Sequence, residues 1–420
     1  MDDARYRPRI IDGPLRAALA TDPAVLLQGP RAVGKSTTAR RYAASTVSLD
    51  NPTEAEPFRA DPDRALARRQ RPLLIDEWQF VPDVMWAVKR AVDSGALPGS
   101  FILAGSVNTT SINGQPVFGR TKQLTMWPAT YAESHQQLPT SPADPLRALL
   151  TAPLTAVIPA LTELTIDDYL QAIVIGGYPR IAFEDPPRPD RARDLLTDIT
   201  TSDASELSPR ANIGKFALWL QANALQTAQA PATATLLDQT GINRKTADRY
   251  DQLLQEMYVL ELVPPFFDNR LKRLRKTPKR YLTDTGLACA GLNVTAEALS
   301  AEPALAGHLL DTYVAAQLRA LLPSMSPRLT MQHLRNDSGL ECDIVLTDPT
   351  HTIGLEVTAT PNPDSRRTKS DAKKTRNLRA MRDQLGEKFT RGILLHTGPD
   401  TYLLDRNILA APISSLWNAG

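Results

Sequence analysis

The stretch Gly29, Pro30, Arg31, Ala32, Val33, Gly34, Lys35, Ser36, Thr37 has the spacing G-x-x-x-x-G-K-[ST], follows an apolar run (Ala24 to Gln28) and opens a helix-forming one. The chemistry of that pattern is phosphate binding. Glycines let backbone N–H groups converge on an anion, the lysine reaches the outer phosphates, and the Ser36 hydroxyl ligates Mg²⁺. Downstream, RPLLIDEWQ ends a second apolar run in Asp76 and Glu77. An aspartate at the carboxyl end of a buried parallel strand is placed to hold Mg²⁺, and the glutamate after it to orient and polarise an attacking water. A third run, SFILAGSVN, brings Ser106 and Asn108 to a strand end, where ligands of doubly wound sheets sit. Each is a candidate for contact with the γ-phosphate or the attacking water, and the alternative is that it caps the next turn. Arg120 is a candidate arginine finger, in cis or from a neighbouring subunit, and the alternative is a surface residue. The implied cofactors are ATP and Mg²⁺, with Lys35, Glu77 and Arg120 as the catalytic set.

The elements that must carry these residues belong to a long chain. At 420 residues it has room for two to four domains, each able to bury a core, and its 42% hydrophobic and 22% charged content is that of a folded globular protein. A net charge of +2 points to no partner by itself, so only local clusters inform. Cys289 and Cys342 are far apart and the five histidines show no zinc-type spacing. Reduced thiols, no structural zinc and no membrane span are expected, and with them a cytoplasmic location: MDDARYRPRIID lacks a signal-peptide core and LLTAPLTAVIPALTEL is broken by Pro153 and Pro159.

Residues 131–205 read as helical with proline breaks, and Arg180 after the Gly176-Gly177 turn is a second candidate to sense phosphate. From Pro231 a short helix, a turn at Gly241, an amphipathic helix from about Asn243 and the strand-like YVLELV form a helix-turn-helix with a following wing. Arg244, Lys245 and Arg249 stand at the start of its second helix. A basic run follows, with Arg270, Lys272, Arg273, Arg275, Lys276, Lys279 and Arg280 against the single acid Asp268. Such a run binds phosphate backbones in a salt-sensitive, sequence-blind way, and the alternative is a solvated face.

LLQGPRAVGKST, LLIDEWQFVPDV, FILAGSVN, GRTKQLTMWPATYAE and GGYPRIAF occur in an order that resembles a family of bacterial and archaeal AAA-type ATPases. RKTADRYDQLLQEMYVLELVPPF, KRYLTDTGLACAGL and GLECDIVL…IGLEVTA extend the likeness over nearly the whole chain. The resemblance implies a C-terminal domain of unassigned function, similar to restriction endonucleases. Such nucleases hold Mg²⁺ with carboxylates from an early helix and two strands, while a lysine two residues after the last acid helps form or stabilise the attacking hydroxide. By that resemblance Asp311, Asp343 and Glu356 take the carboxylate places. Thr358 stands where the lysine belongs and offers neither a positive charge nor a usefully acidic proton. Lys369 and Lys373 on the downstream helix are the candidates for a migrated lysine.

The expected architecture is an α/β P-loop NTPase module of AAA type (1–130), a helical lid (131–205), a winged helix-turn-helix (206–267) and a restriction-endonuclease-like α/β domain (268–420). The expected function is Mg²⁺-dependent ATP binding and hydrolysis coupled to rearrangement of the C-terminal domains, acting on DNA, with a nuclease-like domain that keeps its fold but not its cleavage. A nucleotide-gated scaffold that binds a protein partner or its own copies, and no nucleic acid, is the alternative. Phosphoryl transfer to a small molecule fits less well, because a glutamate beside Asp76 suits water activation.

Overall fold

The computed structural model describes residues 6–106, 111–112, 115–116, 121–153, 162–204, 208, 212–266, 277–336, 339–363 and 369–418. The chain divides into two units, Met1–Pro128 with Leu254–Val259, and Ala129–Leu253 with Leu260–Gly420.

In the first unit, strands β1 (Ala24–Gln28), β2 (Ser45–Ser48), β3 (Leu73–Asp76), β4 (Phe101–Gly105) and β5 (Lys122–Thr125) form one sheet in the order β2-β3-β4-β1-β5, every pair parallel. β1, β3 and β4 are buried along their whole length, which is why they read as unbroken apolar runs rather than as alternating ones. One face packs Leu26, Leu73, Ile75 and Leu103 with Phe58 and Trp78, and the other packs Val25, Leu27, Leu74 and Ile102 with Leu15 and Val33. Parallel strands bring their carboxyl ends to one edge, so Gln28, Asp76 and Gly105 end side by side there. The register pairs Asp76 with Ala104 and Gln28 with Gly105.

The second unit opens on helices, including α1 (Ile166–Ile175), α2 (Ile213–Leu225), α3 (Thr233–Thr240) and α4 (Arg244–Glu256). Gly241, at φ +65°, ends α3, and the Asn243 side chain caps α4 by accepting from Thr246 N. Strands β6 (Leu260–Val263) and β7 (Lys279–Leu282) pair antiparallel after it, and the helix α5 (Thr285–Leu292) follows. The long helix α6 (Pro303–Leu321) then leads to a six-stranded mixed sheet. Its strands are β8 (Thr330–Arg335), β9 (Glu341–Thr347), β10 (Thr352–Val357), β11 (Phe389–His396), β12 (Tyr402–Asp405) and β13 (Ile408–Pro412), in the order β8-β9-β10-β11-β13-β12. Helix α7 (Lys369–Leu385) crosses from β10 to β11, which pair parallel as a helical crossover requires. GLECD and LEVTAT therefore lie on adjacent antiparallel strands of a buried sheet, β10 being covered on both faces. Among the described residues no helix is long and apolar enough to cross a membrane.

Candidate functional site

The phosphate loop follows β1. Its backbone enters the left-handed region at Ala32 (φ 61°) and Gly34 (φ 105°), and Gly29 stands at φ 150°. A Cβ on Gly29 would come within 2.1 Å of Met126 O, so this glycine is fixed by the close approach of the neighbouring strand end. The helix after the loop, Lys35–Arg40, has six residues. Arg9, buried, donates to Val33 O at 2.9 Å and to Trp127 O at 2.8 Å, tying the loop to the end of β5. Sequence reasoning passed over Arg9, which carries no motif. Pro30 and Val33 are buried, while Arg31 and Thr37 are exposed.

Lys35 is buried, and its ammonium donates to Gly29 O (3.0 Å) and Pro30 O (2.8 Å). Ser36 Oγ donates to Asp76 Oδ1 at 2.8 Å, and the Arg40 guanidinium lies 3.4 Å from Asp76 Oδ2. Burial pushes the Asp76 carboxyl up, against the pull of Ser36 and Arg40. Glu77, at φ 51°, turns out of β3, and its Oε2 accepts from Gln79 Nε2 at 2.6 Å. Burial also pushes Glu77 up, while the Gln79 hydrogen bond opposes that rise. Gln79 reaches on to Ser106 Oγ at 3.4 Å, so Ser106 joins Glu77 through this amide. Asn108 and Arg120 lie outside the described residues. Arg180 is exposed in the second unit, beside a turn whose Gly177 N–H donates to the buried Asp284 carboxylate at 2.7 Å.

A hydroxyl and a carboxylate in contact are hard oxygen donors of the kind Mg²⁺ takes alongside water and phosphate oxygens, so Ser36 and Asp76 fit that ion.

The second unit gathers another set. Asp311 on α6 accepts from Lys279 Nζ (2.6 Å) and from Tyr281 OH (2.9 Å). Asp343 on β9 accepts from Lys374 Nζ (2.7 Å) and Val357 N (3.1 Å), and its carbonyl accepts from Lys279 Nζ (3.0 Å). Glu356 on β10 accepts from Lys374 Nζ at 3.0 Å, the same ammonium that Asp343 takes. The three acids are thus laced together by two ammonium groups. Burial and the charge of Asp343 push Glu356 well up, whereas for Asp343 the two lysines outweigh burial and hold the carboxyl far below its usual range. For Lys374, burial lowers and the two acids raise, with the acids prevailing. A cavity of about 630 Å³ opens on this cluster, lined also by His308, His333 and Thr358.

Two expectations are corrected here. Neither Lys369 nor Lys373 reaches the three acids: Lys369 is exposed and Lys373 pairs with Glu341 at 2.7 Å on the surface. Lys374 does, because it shares the inner phase of α7 with Asp371, Leu378 and Met381, while Lys373 lies a third of a turn away. The Thr358 hydroxyl donates to the buried Asp371 at 2.8 Å. Lys279 and Arg280 leave the basic run. Strand alternation turns Lys279 and Tyr281 to Asp311, and sends Arg280 the other way to Asp251 and Asn223. The alternation was legible in KRYL, but its charge pointed outward. Arg270, Lys272, Arg273, Arg275 and Lys276 lie outside the described residues. Arg244 is exposed and 3.5 Å from Asp248, Lys245 is exposed, and Arg249 donates to Ser208 Oγ at 2.5 Å.

Among the described residues no group of three or more His, Cys, Asp or Glu could hold a metal ion. In the second unit the ammonium groups already stand between the acids.

Residues 21–135 match the model of an AAA domain, residues 166–298 a domain of unknown function (DUF8612) and residues 306–416 another (DUF4143). The chain is 26% identical over 414 residues to an uncharacterized protein of Mycobacterium bovis and to one of Mycobacterium tuberculosis, covering 97% of this chain and 83% of each of them. A Walker-type ATPase of Pyrococcus abyssi is similar in structure at 14% identity and a TM-score of 0.44, over 69% of this chain and 97% of that one. The domain match and the loop together identify an AAA-type P-loop ATPase domain in the first unit.

Proposed function

We propose that the protein binds and hydrolyses ATP with Mg²⁺, and that hydrolysis drives a rearrangement of the second unit on DNA. The observation that carries the first part is the 2.8 Å contact between Ser36 and Asp76 beside Lys35 and Glu77. Lys35 holds the outer phosphates, Ser36 and Asp76 hold the ion, and Glu77 takes a proton from the attacking water. Its burial favours that last role, because a carboxyl pushed up is a stronger base. When bound, Mg²⁺ supplies positive charge to the phosphate oxygens. Steady release of phosphate from ATP by the purified protein, dependent on Mg²⁺, is the expected result; none at any Mg²⁺ concentration overturns the reading.

Action on DNA rests on Arg244, Lys245 and Arg249 at the start of α4 and on the run from Arg270 to Lys276. Neutralising Arg273, Arg275 and Lys276 together lowers DNA affinity and flattens its salt dependence by about one unit of log slope per lost phosphate contact. An unchanged slope favours the nucleotide-gated scaffold, with a protein partner or a second copy in place of DNA.

The acids of the second unit support a centre that holds phosphate backbone or a partner without cutting. Two lysines neutralise the place between the carboxylates that a catalytic metal needs. The expected result with Mg²⁺ or Mn²⁺ is no useful cleavage of single- or double-stranded DNA. A second reading has one observation in its favour: Lys374 restores the cation that position 358 lacks. Metal-dependent cleavage lost on Asp343→Ala and on Lys374→Ala selects it.

A further inference from the structure

Gln79 stands two residues past Glu77 and was given no role by motif. Its side chain nevertheless occupies a demanding position. One amide N–H₂ donates to Glu77 Oε2 at 2.6 Å and reaches Ser106 Oγ, at the end of β4, at 3.4 Å. The other end of the amide, Oε1, is buried without a hydrogen-bond partner, and so is the neighbouring Trp78 Nε1. Both flank Gly105: a Cβ built there would come within 2.7 Å of Gln79 Oε1 and 2.5 Å of Trp78 Nε1. Turning the amide over would set its oxygen against the Glu77 carboxylate, so the carboxylate dictates the orientation at the expense of the other end. Buried polar atoms left unmatched around a well-made contact, next to a non-glycine residue at φ 51°, mark a local arrangement kept for function rather than stability.

We propose that Gln79 is a positioning residue for ATP hydrolysis, fixing the Glu77 carboxylate against the end of β4 through Ser106, with Gly105 as the clearance that admits it. This rests on the ATPase reading above. In the step concerned, the water oxygen bonds to the γ-phosphorus, its proton passes to Glu77, and the bond from the γ-phosphorus to the β–γ bridging oxygen breaks to give ADP and phosphate. Gln79 touches none of the reacting atoms. It acts by denying Glu77 other rotamers, and a misplaced base loses rate while substrate affinity is retained.

The full-length protein carries the test, with Gln79→Met, Gly105→Ala, Glu77→Gln and the double variant Glu77→Gln/Gln79→Met. Gln79→Met keeps the chain length and removes the amide, while Gly105→Ala forces Gln79 aside without altering it. Each single change at 79 or 105 is expected to lower kcat about tenfold or more, with KM and the Kd for ATP within about twofold. In single-turnover measurements Gln79→Met is expected to slow the wild type but not the Glu77→Gln background, since it has no base left to position. Wild-type turnover by Gln79→Met overturns the proposal, and so does equal slowing in both backgrounds, which assigns Gln79 a merely structural part. Should Gly105→Ala fail to fold, the Gln79→Met pair decides alone. If the wild type releases no phosphate from ATP, the ATPase reading itself falls; if Glu77→Gln hydrolyses ATP at the wild-type rate, Glu77 is not the base; if Glu77→Gln is slow and Gln79→Met is not, only the inference about Gln79 falls.

Discussion

Both units bury carboxylates close to lysines, and they use the lysines in opposite ways. In the first, Lys35 donates to carbonyl oxygens of its own loop, Asp76 takes a serine hydroxyl with the Arg40 guanidinium 3.4 Å away, and Glu77 takes a glutamine amide. In the second, Lys279 and Lys374 are inserted between Asp311, Asp343 and Glu356. A hydroxyl, an amide and the partly exposed Arg40 guanidinium at 3.4 Å place no close ammonium between these carboxylates, so burial leaves Asp76 and Glu77 as groups that gain from meeting a cation or a proton. Ammonium partners cancel the charge on the spot. What separates a site poised for chemistry from one that is internally balanced is therefore not the acids but what pairs with the lysines.

The sharpest break of this contrast is Asp343→Ala, which leaves two largely buried ammonium groups short of a counter-ion. Removing one partner of a buried pair costs about 3–5 kcal/mol. Chemical denaturation should register a loss of that order, and an unchanged midpoint would mean that the second cluster is no more self-balanced than the first. Lys35→Ala comes next. It is expected to weaken ATP binding by about two decades or more, since the outer phosphates lose a charge-assisted donor, and calorimetric titration reads the change directly. Glu77→Gln should leave that affinity in place and slow turnover by roughly two decades, as loss of a general base does. Equal turnover would make the acids of the first unit as inert as those of the second.

The smallest effect concerns pH. Burial holds His333, beside the second cluster, and His396 down to about 4, below the ordinary value of 6.5. The folded pKa being the lower one, the unfolded chain binds more protons between about 6.5 and 4. The stability from the neutral imidazoles is present above 6.5 and is lost as pH falls through that window. Each should account for roughly 2 kcal/mol between pH 7 and 5. Denaturation at the two pH values, repeated with His333→Gln, should show the fall reduced by about that amount; the Asp343 carboxyl, held far below its usual range, stays ionised throughout and adds nothing there.

Much of the first unit is readable along the chain because its chemistry is local. Gly29 to Ser36 are consecutive, and apolar runs of four or five residues announce strands buried on both faces. The strand and the carboxylates that end it at Asp76 and Glu77 are legible for the same reason. Gln79 and Arg9 are not, because their partners are a side chain turned back by a left-handed residue and a carbonyl at the end of another strand.

In the second unit the sequence, through its family resemblance, pointed to Asp311, Asp343 and Glu356 and to Thr358 beside them, and it placed basic residues on the following helix. It could not say which of Lys369, Lys373 and Lys374 turns inward, since that depends on which face of α7 lies against the sheet. Nor could it tell that Lys279 points to Asp311 while Arg280 points to Asp251. A charged residue in a basic run reads as solvated until a buried carboxylate is found opposite it, and only packing α6 and β9 against β7 supplies one. Charge type is written residue by residue. Charge pairing is a property of distance, and distances between residues tens to hundreds of positions apart were decided by the fold.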